Sequence, residues 1–488
     1  MISQIYSSSF KSNFLTHTLT IRNHSAIKFP QRSFKLPGIP FNNHTTSISP
    51  IDGRYSHKCM SLKNFFSEHG LHKHRLLVEI EWFKILVANL PNYSKDKLSE
   101  ESLLILNKIY QDYNAKESYK VKQIENKTNH DVKSIEYYLK DKLSKSNKQL
   151  DSLKELVHFA ATSEDINNLA YALMLKGSRE KVFLPKMNYL LERILEVVST
   201  NEDLVMMSRT HGQPATPTTF QKEFKKFYER LLAEYQEYEK CQILGKMNGA
   251  VGNYTAHRFV YPEVNWKNLS EQLINHNLGL KINHFTTQIE PHDYMNKLFQ
   301  AQIRFNNILD DMSKDIWGYI SFDYITQKQK EGEIGSSTMP HKVNPINFEN
   351  CEGNLFISNL LLNGMGNYLQ TSRFQRDLTD STVLRNLGIA YGHSLLAYDS
   401  FAVGLTKIEP NKEKMLYDLD NNWSLLAEPI QLIMKKHGIE GAYETLKDLT
   451  RGKSLDNDTI KKFIFSLKGK IPEDDYNRLM ELTPRTYY

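Results

Sequence analysis

At 488 residues the chain exceeds what one hydrophobic core usually supports, so two or three domains are expected. Its 40% hydrophobic and 24% charged residues are those of a soluble globular fold, and no run of 18 apolar residues offers a membrane-spanning helix. The net charge of +6 originates in residues 1–51, which hold Lys11, Arg22, Lys28, Arg32 and Lys35 and no acid; without those five, the 62 basic residues become 57 against 56 acidic, which argues against a nucleic-acid-binding surface.

Residues 1–45 are rich in Ser, Thr and Asn, dotted with basic residues and free of acids. That is the composition of an organellar transit peptide, mitochondrial ahead of plastid, or of a disordered low-complexity leader on a cytoplasmic protein. Beyond residue 50 the periodicity is helical almost everywhere. Met187, Leu190, Leu191, Ile194 and Val198 form one stripe behind Pro185; Phe220, Phe224, Phe227, Leu231, Tyr235 and Tyr238 form a second. Leu298, Phe305, Leu309, Met312, Ile316 and Ile320 form a third, and further helices are expected after Pro345 and Ser381. The one hairpin expected lies near Gly245–Tyr254. Breaks at Lys140–Lys148 and Leu405–Lys412 divide the body into helical domains at 46–150, 151–405 and 406–488, the middle one a bundle of long helices. Cys59, Cys241 and Cys351 lie too far apart for metal-ligand spacing, and an odd, sparse set points to a reducing compartment.

The residues suited to chemistry sit between the stripes, in polar segments broken by Gly and Pro. They are TNHD at 128–131, SRTHGQPATP at 208–217, GSSTMPHKVNP at 335–345 and RFQRDLTDSTVLR at 373–385. Gly335 and its two serines make a small-residue strip, with Lys342 downstream and Pro345 placed to open a helix at N1. A serine near a lysine and a helix start is where an alkoxide would be stabilised, though the same residues suit a plain capping loop. His211, followed by Gly212 and Pro214, is excluded from a helix interior and is a candidate for proton transfer near neutral pH. Arg54, Arg376 and Arg385 could clamp carboxylates or phosphate with paired hydrogen bonds. There is no P-loop and no dinucleotide glycine fingerprint.

Taken together, these segments resemble the adenylosuccinate lyase family within the fumarase/aspartase/argininosuccinate lyase superfamily. GSSTMPHKVNP is similar to the superfamily's signature loop. SPIDGRY at 49–55, HFAATSEDINNLAYALMLK at 158–176, GKMNGAVGNY at 245–254, TTQIEPHDY at 286–294 and LKDLTRGK at 446–453 extend the resemblance over the body. It implies an all-α, three-domain lyase that eliminates fumarate without a cofactor or metal. Four copies would build a twenty-helix core, with each active site shared between subunits. By resemblance Ser336 is the general base and His211 the general acid. Ser337, Lys342 and Asn344, with Thr162 and Ser163, are donors to the succinyl carboxylates, and Val343 is a further substrate-binding position. Asn129, His130, Asp131 and Gln288 orient the substrate, and Asn350 adds a polar contact. Arg54, Tyr55, Arg376, Ser381, Thr382, Val383, Leu384 and Arg385 belong to the phosphate grip, a segment type that argues against argininosuccinate as substrate. Relatives are expected to run past Tyr488 by about one short helix.

Overall fold

The computed structural model describes residues 44–95, 97–328, 339, 341–450 and 455–488. The leader up to residue 43 and the two loop serines, Ser336 and Ser337, lie outside the described residues.

The N-terminal part is built on helix α1 (Glu68–Asn89), started by the Ser67 side chain accepting from Gly70 N. Helices α2 (Ala115–Thr128) and α3 (Asp131–Ser144) follow. Only Asn129 and His130 separate them: Asn129 ends α2 at φ 50°, and the His130 ring caps α3. Helix α4 (Ser163–Ser178) packs along α1.

The middle part is a ring of five long helices: α5 (Leu184–Ser199), α6 (Phe220–Lys240), α7 (Asp293–Ser321), α8 (Ile346–Leu369) and α9 (Leu387–Lys407). Each packs on the next, and α9 closes back on α5. The three expected stripes are the inward faces of α5, α6 and α7, nearly every member buried. Phe183, Phe305, Tyr391 and Tyr398 interlock edge to face at the centre. One polar layer crosses this core: Ser358 and Ser394 hydroxyls lie 2.6 Å apart, and Asn306 donates to Ser394 and accepts from Tyr398. Its groups satisfy one another, so it pins the register of α7, α8 and α9. Pro345 precedes α8 as its cap rather than filling the first helical position.

The expected hairpin at Gly245–Tyr254 is absent. Leu244–Gly245 pairs for two residues, in parallel, with Lys281–Ile282, and the following segment is held by side chains instead. The hairpin is β1 (Val205–Thr210) with β2 (Gln213–Thr219), joining α5 to α6. Pro214 and Pro217 disguise β2 in the sequence, but a two-stranded ribbon has only edges, where proline is tolerated. At the same end of the ring, β3 (Ile325–Gln327) pairs antiparallel with β4 (Ile408–Pro410), tying the tails of α7 and α9. The C-terminal helices, among them Ala427–Lys436 and Asn457–Phe465, gather round a separate core of Leu426, Ile430, Met434, Ile460 and Ile464. They touch the hairpin through Met207, which packs with Leu419 and Leu425.

Candidate active site

The sequence-predicted residues fall into groups at opposite ends of the ring. At the end where α7 begins, side chains from five separate segments form one hydrogen-bonded chain. Arg385 Nη2 donates to Asp131 Oδ2 at 2.9 Å, and Arg75 Nη2 donates to the same oxygen at 2.7 Å. Arg75 Nε donates to Asn167 Oδ1, and Asn167 Nδ2 donates to Glu164 Oε1 at 2.7 Å. Arg376 Nη2 reaches Glu164 Oε1 at 3.0 Å, and its Nη1 reaches Gln288 Oε1 at 3.1 Å. Gln288 is fixed in turn by Ala250 O and Gln375 O. Burial alone would raise the Asp131 carboxyl, but the two guanidinium groups hold it well below the usual carboxylate range. Burial wins at Glu164 and Asp380, whose carboxyls are pushed up despite Arg376. Beside this network, Phe66, Glu68, Tyr171 and Arg385 line a cavity of about 200 Å³.

Local structure explains how each side chain is presented. The His130 Nδ1 accepts from Lys133 N at 3.1 Å, which leaves the ring proton of the neutral form on Nε2, facing away from the helix. Thr162 is the N-cap of α4, so Thr162 and Ser163 sit at the positive end of a 16-residue helix. Asp165 holds that end in place. Fully buried, it accepts from Thr162 N, Asn248 N and Gly249 N and pairs with the equally buried Lys246 at 2.8 Å. The segment before it is strained: His158 and Ala160 both have positive φ. His158 Nδ1 lies 2.6 Å from the buried Glu79, which raises its pKa against the opposing effect of burial.

Ser381 and Thr382 lie on the short helix Thr379–Leu384 that leads to Arg385, and Val383 is half-buried there. Leu384 differs from the other predicted grip residues: its side chain is core, 3% exposed, so it has only backbone groups to offer. Tyr55 packs with Ile51, Cys59 and Leu396 beside the first half of α9, with the Arg54 guanidinium 5.7 Å from its ring.

At the far end of the ring stands His211. Thr210 pairs with Gln213, so His211 and Gly212 form a two-residue turn, with φ of 52° and 75°. Positive φ at both positions is the signature of a type I′ hairpin turn, and it projects the imidazole into solvent. Arg209 braces this tip: its Nη1 donates to Gly212 O at 3.1 Å, and its guanidinium lies 4.4 Å over the ring of Phe322, which caps the C-terminus of α7. Lys342 and Val343 are exposed at this end too, where Gln327 Nε2 donates to Val343 O at 3.2 Å. Asn344 is half-buried just before α8, and Asn350 stands exposed in its first turns. The 29 residues of α7 span about 43 Å. One chain therefore keeps His211 and Lys342 roughly that far from Gln288 and Arg376.

Sequence reasoning passed over Arg75, His158, Glu164 and Asn167. The signal existed for Arg75: with His72 and Glu79 it occupies the inward stripe of α1, and all three are buried. Charges at core positions are rare unless paired, so they mark a network. A cluster of Glu68, His72 and Glu125 has metal-like spacing, but Lys122 already bridges both carboxylates, at 2.7 and 3.0 Å.

Residues 53–357 match the profile of the family described as Lyase, and 372–488 match adenylosuccinate lyase C-terminal. In fold, the chain is similar to the 3-carboxy-cis,cis-muconate lactonizing enzyme from Pseudomonas putida. The TM-score is 0.69 at 16% identity, covering 88% of this chain and 93% of that one. In sequence, it is 48% identical over 442 residues to adenylosuccinate lyase from Escherichia coli K12, covering 91% of this chain and 96% of the relative. The adenylosuccinate lyase of Legionella pneumophila strain Corby is 49% identical over 441 residues, covering 90% of this chain and 96% of the relative. Similarity of that depth over both the bundle and the C-terminal helices leaves one assignment: the chain belongs to the adenylosuccinate lyase family.

Proposed function

We propose that this protein eliminates fumarate from adenylosuccinate, giving AMP, and from succinylaminoimidazole carboxamide ribotide, giving aminoimidazole carboxamide ribotide, in purine nucleotide biosynthesis. The observation that carries this reading is the gathering of Asp131, Gln288, Arg376 and Arg385 into one network beside the N-terminus of α4. Guanidinium groups suit a phosphate, and a helix N-terminus with two hydroxyls suits a carboxylate. The substrate carries both kinds of anion.

The elimination needs a base for the proton on the carbon next to a carboxylate and an acid for the departing nitrogen. His211 is the acid, held on a rigid turn with its ring exposed. Ser336 is the base, and Lys342 nearby in the chain favours its ionised form. The carbanion is spread onto its carboxylate, with Thr162, Ser163 and Asn344 as its donors.

These groups meet only if copies of the chain associate, since about 43 Å of α7 separates them within one copy. We read the assembly as a homotetramer with shared sites. The outer face of α8 supports it: Phe356, Leu360 and Tyr368, each at least 48% exposed, lie on one line with Gly364. A helix apolar on both its inner and outer faces is suited to burial on both. Among the described residues no helix is long and apolar enough to cross a membrane. We propose for the leader either an organellar address, mitochondrial ahead of plastid, or none, on a cytoplasmic protein; a reporter fused to residues 1–50 that stays in the cytosol would sink the organellar reading.

The activity is tested by incubating the purified full chain with adenylosuccinate and following fumarate. Release supports the reading. Cleavage of argininosuccinate in place of adenylosuccinate would overturn it.

A further inference from the structure

Arg75 stands at the centre of the hydrogen-bonded chain, yet nothing in the reaction calls for it directly. Its side chain is 2% exposed, so it cannot greet a substrate from solvent. It is held on two sides. Nη2 binds Asp131, which also holds Arg385; Nε binds Asn167, which passes the contact to Glu164 and so to Arg376. The two arginines that face the site therefore hang from opposite ends of one buried scaffold: Arg385–Asp131–Arg75–Asn167–Glu164–Arg376.

Each link is oriented by its chemistry. Asp131 Oδ1 accepts from Val132 N, and both guanidinium groups share Oδ2. The Asn167 amide accepts from Arg75 with its oxygen and donates to Glu164 with its nitrogen, so neither Leu nor Asp could replace it in both roles. The scaffold joins α1, the start of α3, the start of α4 and the segment 376–385. Arg376 and Arg385 share that last segment, flanking the short helix Thr379–Leu384, but where their guanidinium groups stand is fixed by what each one holds: Glu164 and Gln288 for Arg376, Asp131 for Arg385.

We propose that Arg75 is a positioning residue for the nucleotide end of the substrate: through Asp131 and through Asn167–Glu164 it sets the separation of Arg385 and Arg376. The inference rests on the functional reading above, in which those two arginines grip the phosphate. Its consequence is selective. Misplacing the arginines weakens whatever carries the phosphate and leaves the dicarboxylate end untouched, because Thr162 and Ser163 are held by Asp165 and Lys246 instead.

The test uses the full-length assembled protein with three variants: Arg75→Lys, Arg75→Met and Asn167→Ala. AMP affinity is measured by calorimetry, and inhibition by succinate and the melting temperature are measured in parallel. The expected result is an AMP affinity lowered roughly tenfold to a hundredfold in Asn167→Ala and Arg75→Met, with succinate inhibition within twofold of the parent. Arg75→Lys should recover part of the loss, because a lysine can pair with Asp131 but cannot also hold Asn167. If Arg75→Met fails to fold, Asn167→Ala and Arg75→Lys decide the matter. AMP affinity unchanged in both, or AMP and succinate weakened equally, overturns the proposal. A parent protein that releases no fumarate from adenylosuccinate instead overturns the functional reading.

Discussion

The distance between the two halves of the candidate site makes a quantitative prediction. His211 lies at the hairpin beside the C-terminal end of α7, and Arg385 belongs to the network beside its N-terminal end. About 43 Å of helix lies between them, far beyond the reach of one nucleotide. On the proposed function, a site that uses both groups takes His211 from one copy and Arg385 from another. His211→Ala removes the proposed proton donor and should cost about 10²- to 10⁴-fold in turnover. Arg385→Ala removes charge-assisted hydrogen bonds worth about 1.5–3 kcal/mol, or roughly ten- to a hundredfold in kcat/KM. It leaves Asp131 paired with Arg75, so the fold should survive. If the assembly is the proposed homotetramer, refolding the two variants together in equal amounts yields random tetramers. Each site then draws an intact His211 with probability one half and an intact Arg385 with probability one half, giving about a quarter of parental activity at low substrate. If one chain supplied both groups, every site would carry a defect and mixing would restore nothing. The assay is fumarate release from hybrids isolated through two different affinity tags. Activity no higher than that of the better parent variant, in verified hybrids, would refute the reasoning.

Three further outcomes follow from particular contacts. Ser336→Ala should lose most turnover while the circular dichroism spectrum and oligomeric state stay parental; a parental rate would remove Ser336 from the base role. Gly252→Ala should be severely destabilising, by on the order of 3 kcal/mol in denaturant titration, because the backbone there has φ 79° and an added Cβ would sit 2.2 Å from Thr286 O; a loss below 1 kcal/mol would mean the 286–288 segment yields easily. The His158–Glu79 pair should show in the pH dependence of melting. A histidine whose folded pKa is raised adds stability that is full below its unfolded pKa near 6.5 and is lost as pH rises through the folded value. Glu79→Gln should therefore flatten the decline of melting temperature on the alkaline side of pH 6.5, and an unchanged slope would refute the pairing.

How much of this was written legibly in the sequence depends on how local the determining physics is. The stripes on α5, α6 and α7 were legible because each helix buries one face, and a 3.6-residue period follows from that alone. The hairpin was not, because β2 carries two prolines and its pattern gives no alternation over which to count. What defines it is the pair His211–Gly212, both with positive φ, and histidine at the first turn position is an uncommon choice there. The residue that sequence reasoning singled out for its chemistry was thus also the residue that marked the turn.

Arg75 shows the opposite failure. Within α1 it reads as one charge among apolar neighbours, and only the arrival of Asp131 from 56 residues away and Asn167 from 92 makes it intelligible. Pairings of that kind follow from the packing of α1 against α3 and α4, which no window of sequence contains. The same limit explains why motifs could name the site residues but not their partition. TNHD and RFQRDLTDSTVLR lie more than 240 residues apart and share one oxygen of Asp131, whereas SRTHGQPATP and RFQRDLTDSTVLR belong to opposite ends of the ring. Sequence spacing is blind to that difference, which is set by the three passes that α6, α7 and α8 make along the ring between those two motifs. A bundle of long parallel and antiparallel helices places its connections at two remote ends. A single substrate that needs groups from both can be served only where the end of one bundle meets the opposite end of another, and the apolar outer face of α8 is what would hold two bundles in that contact.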